Sequence, residues 1–337
     1  MKARNESFIV SIIATLAVTA KISIVLLCLA ISLRAAPPPG YYQSATNKTG
    51  FALRAALHEI INDHTVIPYF HGFFLDTSDA LRVLDQDPQN PANVLLPYAQ
   101  RSEPTNTFGL ATGWNREHLW PNSYGLDDVE PAYSDLFNLR AEDATVNSDR
   151  GNLYFDTSDT SSTSYRFPAH AEALQCSQDA DSWEPPAQMR GDIARALFYM
   201  DVRYEGDRTN ELQLRLTDAT SKINNTNAVM GKLSTLLRWH ETDPVDSAER
   251  RRNDLIYERY QHNRNPFVDH PEWVNAVFRP RLSIVRSVAN VELSWDAGWT
   301  NATIQGSANL RNWSSVSTNR LPATNAFRFF RLSVPVD

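Results

Sequence analysis

Gly113-Trp-Asn-Arg-Glu-His-Leu-Trp-Pro-Asn-Ser-Tyr-Gly125 is the stretch on which the reading of this chain turns. It sets a carboxylate, Glu117, beside an imidazole, His118, between Trp114 and Trp120. A second polar string follows, Val146-Asn-Ser-Asp-Arg-Gly-Asn152. Residues 108–119 read as extended, and Pro121 stops that strand because proline cannot donate to a ladder. Residues 136–139, Leu-Phe-Asn-Leu, read as a second short strand. Residues 143–147 read as a helix start, with Asp143 as its cap. The expected local order is strand, loop, strand, helix.

Those residue types suit phosphodiester hydrolysis. A water must lose a proton as it attacks, charge on the phosphorus centre must be neutralised, and the leaving oxygen must be stabilised. An imidazole titrating near neutrality suits the first task. A hard divalent ion held by one or two carboxylates or carboxamides suits the others. Glu117 and Asn147 are oxygen donors of that kind, and His118 is the candidate base. Neighbours on a regular strand point to opposite faces, so Glu117 and His118 share a site only where the strand twists or bulges. The plainer alternative makes Glu117 a surface carboxylate and His118 a structural hydrogen-bonding group. Asn147 and Arg150 would then be capping or surface residues of a polar helix.

Working outward, residues 49–62 carry Leu53, Leu57, Ile60 and Ile61 at helical spacing. Residues 76–110 are rich in Pro, Asn and Asp and read as loops with short strands. Residues 157–164 read as a loop. Helices are expected over 189–204, with Ile193, Leu197, Phe198 and Met200 as the buried stripe, and over 232–239. A long polar helix is expected over 247–264. Its arginines, from Arg250 to Arg264, suit either a nucleic-acid backbone or a solvated face. After Pro280 the segments Val291–Trp295, 303–306 and 327–333 alternate between turn residues, which is an all-β signature. At about 55 residues this tail is short for an immunoglobulin-type sandwich. His240 with Asp243, and Asp269 with His270, are separate polar groupings that read as turn and core hydrogen bonding.

The chain of 337 residues is long enough for a sizeable core. Its 42% apolar and 21% charged residues exclude a disordered or fibrous chain. The net charge of −7 lacks the basic excess of a nucleic-acid-binding protein. An enzyme needs only a local positive groove and a metal, because tight non-specific binding slows product release. Residues 8–33 are almost wholly apolar and are followed by Ala35-Ala36 and Pro37-Pro-Pro. Residues 1–36 are therefore expected to be an export signal, with a retained membrane anchor as the alternative. Of two cysteines, Cys28 lies in that segment. Cys176 is then alone and no internal disulfide is expected.

The strings Trp114-Asn-Arg-Glu-His-Leu-Trp-Pro121, Asp135-Leu-Phe-Asn-Leu-Arg140 and Val146-Asn-Ser-Asp-Arg-Gly-Asn152 resemble the bacterial endonuclease I family of periplasmic and secreted nucleases. The likeness continues through Met189–Met200, Leu236–Pro244 and Arg264–Pro271 and spans roughly residues 37–280. It implies an α+β domain carrying a ββα-metal (His-Me) finger, followed here by a small all-β C-terminal module over 281–337. It implies His118 as general base, Glu117 and Asn147 as ligands of one Mg²⁺, and Arg150 as a contact to the phosphate. Ca²⁺ or Mn²⁺ are the expected substitutes for Mg²⁺. It also implies a monomer that cuts DNA, and RNA, with little sequence preference to give 5′-phosphate products. Many members have His where this chain has Phe137, and several carry disulfides that this chain cannot form. The C-terminal tail resembles small β-modules appended to exported bacterial enzymes. The competing reading is a noncatalytic exported adhesion protein on a degenerate nuclease fold.

Overall fold

The computed structural model describes residues 36–206, 212–224, 227–279, 282–295, 303–324, 326–327 and 329–333. The expected export signal lies outside them. The architecture is mixed α+β. Helix α1 (Gly50–Ile61) buries Leu53, Leu57 and Ile61. Helix α2 (Thr77–Leu84) stands where loops were expected. A capping box explains it: the Asp76 carboxylate accepts from the N–H groups of Ser78 and Asp79, and Asp79 answers to the Asp76 N–H. Ala80, Leu81 and Leu84 then face the core.

Short strands β1 (Asn93–Leu95) and β2 (Ser102–Pro104) form an antiparallel pair. Strand β3 (Trp114–His118) pairs antiparallel with β4 (Leu139–Asp143), with Glu117 opposite Arg140 and His118 opposite Leu139. The strand expected over 136–139 thus begins at its predicted last residue. Asp135 ends the preceding turn instead, its carboxylate accepting from the Phe137 N–H at 3.0 Å. The Asp143 cap is present: its side chain accepts from Thr145 and Val146 N–H and starts α3 (Ala144–Arg150). Strands β5 (Tyr154–Phe155), β6 (Ser177–Gln178) and β7 (Ser182–Glu184) form a three-stranded mixed sheet.

Helix α4 (Arg190–Arg203) is the centre of the main core. The expected stripe of Ile193, Leu197, Phe198 and Met200 is fully buried. The rest of the helix from Ile193 to Arg203 is also buried, so charges on it need partners. Arg195 makes two bonds to Glu249 (2.7 and 2.6 Å), and Arg54 pairs with Asp201. Short parallel strands β8 (Arg215–Leu216) and β9 (Val229–Met230) follow. Helix α4 then packs against α1 and α5 (Leu233–Thr242).

Helix α6 (Ser247–Arg259) is shorter than expected. Its basic character is partly consumed internally. Arg252 is buried and donates to Asp85 and to the carbonyls of Leu136 and Leu139. Arg264 is held by Asp254 and Asp269. The other polar groupings are also structural. Asp243 accepts from the Gly191 N–H, and His240 bonds the Pro271 carbonyl. His270 stacks on Trp273. Two short helices, α7 (Pro266–Asp269) and α8 (Trp273–Phe278), complete this part.

The C-terminal residues form β10 (Leu282–Arg286), β11 (Asn290–Trp295), β12 (Thr303–Ser307), β13 (Ser314–Val316), β14 (Arg320–Pro322) and β15 (Phe329–Ser333). They pair as two three-stranded sheets, β10-β11-β14 and β13-β12-β15. Leu293, Ile304 and Leu321 make a small apolar cluster among them.

Candidate active site

The outer edge of β3 brings the predicted residues together. Among the described residues β3 pairs only with β4. The carbonyls of Arg116 and His118 point away from that ladder and need other donors. Helix α3 supplies them. Asn147 Nδ2 donates to the Arg116 carbonyl (3.1 Å) and to Asn115 Oδ1 (2.7 Å). Arg150, one turn further on, donates to the carbonyls of His118 (Nη1, 2.9 Å) and Leu119 (Nη2, 3.0 Å). Both Asn147 bonds use the amide nitrogen, so its carboxamide oxygen is the atom left for a ligand.

Glu117 is only 1% exposed. Its Oε1 accepts from the Tyr98 hydroxyl (2.7 Å) and from Arg150 Nη1 (3.1 Å). Burial pushes its carboxyl above the usual range, against the pull of the Arg150 guanidinium and the Tyr98 hydroxyl. Both of these side-chain bonds fall on Oε1, and the His118 N–H adds a backbone bond to the carboxylate.

His118 is the last residue of β3, where the alternation of a regular strand ceases to bind. Its Nε2 lies 2.9 Å from the Tyr133 carbonyl. A carbonyl only accepts, so Nε2 carries the hydrogen and Nδ1 of the neutral ring keeps its lone pair. Two rings lie near-parallel to the imidazole, Tyr133 at 5.1 Å and Tyr69 at 5.5 Å between centroids. Burial holds the imidazole down at about 4, from an ordinary 6.5, while the Tyr133 carbonyl pulls the other way.

This depression sets a pH dependence. The unfolded chain binds the His118 proton near pH 6.5 and the folded chain near 4. The contribution to stability is therefore complete above 6.5 and is lost as pH falls toward 4. His240, also held at about 4 by burial and by Arg195, adds the same sign. Glu142, pushed by burial from 4.5 to about 8, acts oppositely between those values. Ring resonances isolate the histidines better than a bulk unfolding midpoint. In an NMR titration, His118 and His240 are expected to stay neutral at about pH 5.5. A His118 ring that titrates at its ordinary value contradicts the assignment.

Glu117, His118 and Asn147 line one open depression of about 440 Å³, together with Arg116, Asn122 and Ser123. Three of the four predicted site residues thus meet. Arg150 is 1% exposed and lies behind them, its guanidinium 4.6 Å from the Phe155 ring centroid. Phe137 does not line the depression; it packs against Tyr199, with centroids 4.4 Å apart. Sequence reasoning missed Tyr98, Tyr69 and Tyr133, which lie 15 or more residues from the histidine or carboxylate they touch. Arg116 was legible inside the opening string and was passed over.

The donors fit a hard cation. Among the described residues no group of three His, Cys, Asp or Glu side chains is placed to hold a metal ion, so this site is not a caged zinc centre. One carboxylate oxygen and one carboxamide oxygen beside an open depression suit an ion that keeps most of its waters.

The sequence comparisons converge on the same region. The family model described as Endonuclease I matches residues 49–272. The chain is 45% identical over 240 residues to a protein named extracellular ribonuclease from Bacillus amyloliquefaciens, covering 71% of this chain and 78% of that one. A protein of the same name from Bacillus subtilis (strain 168) matches with the same identity and coverage. The matched span contains the whole β3, β4 and α3 unit and the tyrosines that hold it. This chain belongs to the endonuclease I family of nucleic-acid hydrolases.

Proposed function

We propose that this chain is an exported, Mg²⁺-dependent endonuclease that hydrolyses RNA and DNA without reading base sequence. On this reading β3, β4 and α3 form a ββα-metal finger, and the six C-terminal strands are a small appended β-module. The observation that carries it is the fixed tautomer of His118. With Nε2–H committed to the Tyr133 carbonyl, Nδ1 keeps the lone pair of a ring that lines the same depression as Glu117 and Asn147. His118 takes the proton of the attacking water. The Glu117 carboxylate and the Asn147 carboxamide would hold the cation, and Tyr98 and Arg150 hold Glu117. Mg²⁺ bound there would supply charge stabilisation at the scissile phosphate. Ca²⁺ and Mn²⁺ fit the same oxygens.

Water as the nucleophile requires no 2′-hydroxyl, so RNA and DNA both suit and both yield 5′-phosphate and 3′-hydroxyl ends. The relatives named extracellular ribonuclease support RNA as a substrate and export as the destination. Incubation of the purified chain with labelled RNA and supercoiled plasmid tests the reading. Cleavage of both is expected in Mg²⁺, with loss in excess chelator and recovery on adding metal back. RNA products ending in 2′,3′-cyclic phosphate would refute water as the nucleophile. No cleavage under any metal would favour the noncatalytic adhesion reading.

A further inference from the structure

Residues 70–75, Phe-His-Gly-Phe-Phe-Leu, expose four large apolar side chains in sequence. Phe73 is 94% exposed, Phe70 75%, Phe74 74% and Leu75 46%. Single exposed apolar residues are ordinary, but a contiguous group of them marks a binding surface. The loop that carries them is built. His71 Nδ1 accepts from the N–H groups of Phe73 (3.3 Å) and Phe74 (3.1 Å), and the His71 N–H donates to Asp76 Oδ2 (3.2 Å).

The loop is rooted on the candidate active site. Tyr69, one residue before Phe70, packs against Tyr133 with centroids 4.0 Å apart and planes tilted by 31°, and lies beside the His118 ring. The Arg116 guanidinium sits 4.4 Å from the Tyr69 ring centroid and bonds Asp76, the loop's own anchor. An extended residue spans about 3.5 Å, so the phenylalanines lie within a few nucleotides' reach of the reacting phosphate.

We infer that the Phe70–Leu75 loop is a stacking platform for unpaired nucleobases flanking the scissile bond, and that it steers the enzyme toward single-stranded substrate. The inference rests on the nuclease reading of the neighbouring site. Aromatic rings bind any base face without reading sequence, but only single strands expose those faces. Stacking also supplies affinity without positive charge, which matters in a chain of net charge −7. A bilayer surface would want Lys or Arg beside the aromatics. Residues 65–75 contain neither, and Asp76 and Asp79 follow.

The test uses the full chain in chelator, where nothing is cut. Fluorescence anisotropy compares a single-stranded oligonucleotide of about 12 residues with an abasic strand of equal length and with a duplex. The wild-type chain is expected to bind the base-bearing strand about tenfold more tightly than the abasic one. Phe70→Ser/Phe73→Ser/Phe74→Ser is expected to erase that difference while leaving duplex binding unchanged. Phe73→Trp retains the preference and Phe73→Leu loses part of it, which separates stacking from simple apolar contact. Equal wild-type affinity for both strands, or a triple variant that keeps the preference, overturns the platform. Loss of binding to phosphatidylglycerol vesicles with strand preference intact also overturns it. A chain that binds bases but never cuts defeats the nuclease reading alone, and one that cuts without base preference defeats the platform alone.

Discussion

His118→Ala is expected to lower turnover by about 10²–10⁴-fold with little change in substrate affinity. The ring has one nitrogen fixed by the Tyr133 carbonyl and one free to accept a proton. Removing it deletes the proton acceptor without stranding a buried charge, because burial keeps the imidazole neutral at working pH. The variant leaves a space beside the Tyr133 and Tyr69 rings, whose centroids lie 5.1 and 5.5 Å from the lost ring's centre. Free imidazole of matching shape is expected to enter that space and restore part of the rate, in a concentration-dependent way. Single-turnover cleavage of labelled RNA reads the chemical step directly. A variant that cuts at the wild-type rate removes His118 from the reaction. A slow variant with greatly weakened binding makes the ring a substrate contact instead.

The site was partly legible because its chemistry is concentrated in two short strings. Glu117, His118 and Asn147 are each marked by type, and the Asp143 cap placed α3 correctly. What the sequence did not show is how adjacent residues on a strand serve one site. The answer lies in tertiary structure: His118 ends β3, and Asn147 and Arg150 strap the strand's outer carbonyls to α3. Tyr98, Tyr69 and Tyr133 carry no local signal, since a tyrosine in a loop looks the same whether it meets water or a candidate site residue. Helix α2 was missed because the Pro, Asn and Asp content of residues 76–110 outweighed an Asp-x-x-Asp cap at its very start. The basic helix misled in the other direction. In sequence Arg252 and Arg264 suited either a nucleic-acid backbone or a solvated face, but both are buried and bound by carboxylates.

Arg150 marks the sharpest difference between residue type and place. A phosphate contact was expected of it, yet it is 1% exposed and its bonds go to Glu117 and to two strand carbonyls. Arg150→Met is therefore expected to cost about 3–5 kcal/mol of stability, because it leaves a buried carboxylate unpaired and two carbonyls without donors. Glu117→Gln/Arg150→Met is expected to recover part of that loss, since a neutral amide needs no counter-charge. Urea unfolding of the wild type, both single variants and the double variant closes the cycle, with a coupling of about 1–3 kcal/mol expected between the two positions. A positioning role also predicts how activity fails. On the proposed one-metal reading, Glu117 freed from Arg150 would hold metal less well, so Arg150→Met is expected to raise the Mg²⁺ concentration at half-maximal rate, with much of the turnover restored at saturating metal. An arginine that touched the phosphate would give the reverse pattern: nearly native stability, an unchanged metal requirement and a raised KM for RNA. If the cycle shows no coupling and KM alone moves, the guanidinium must swing out of its buried position to meet substrate.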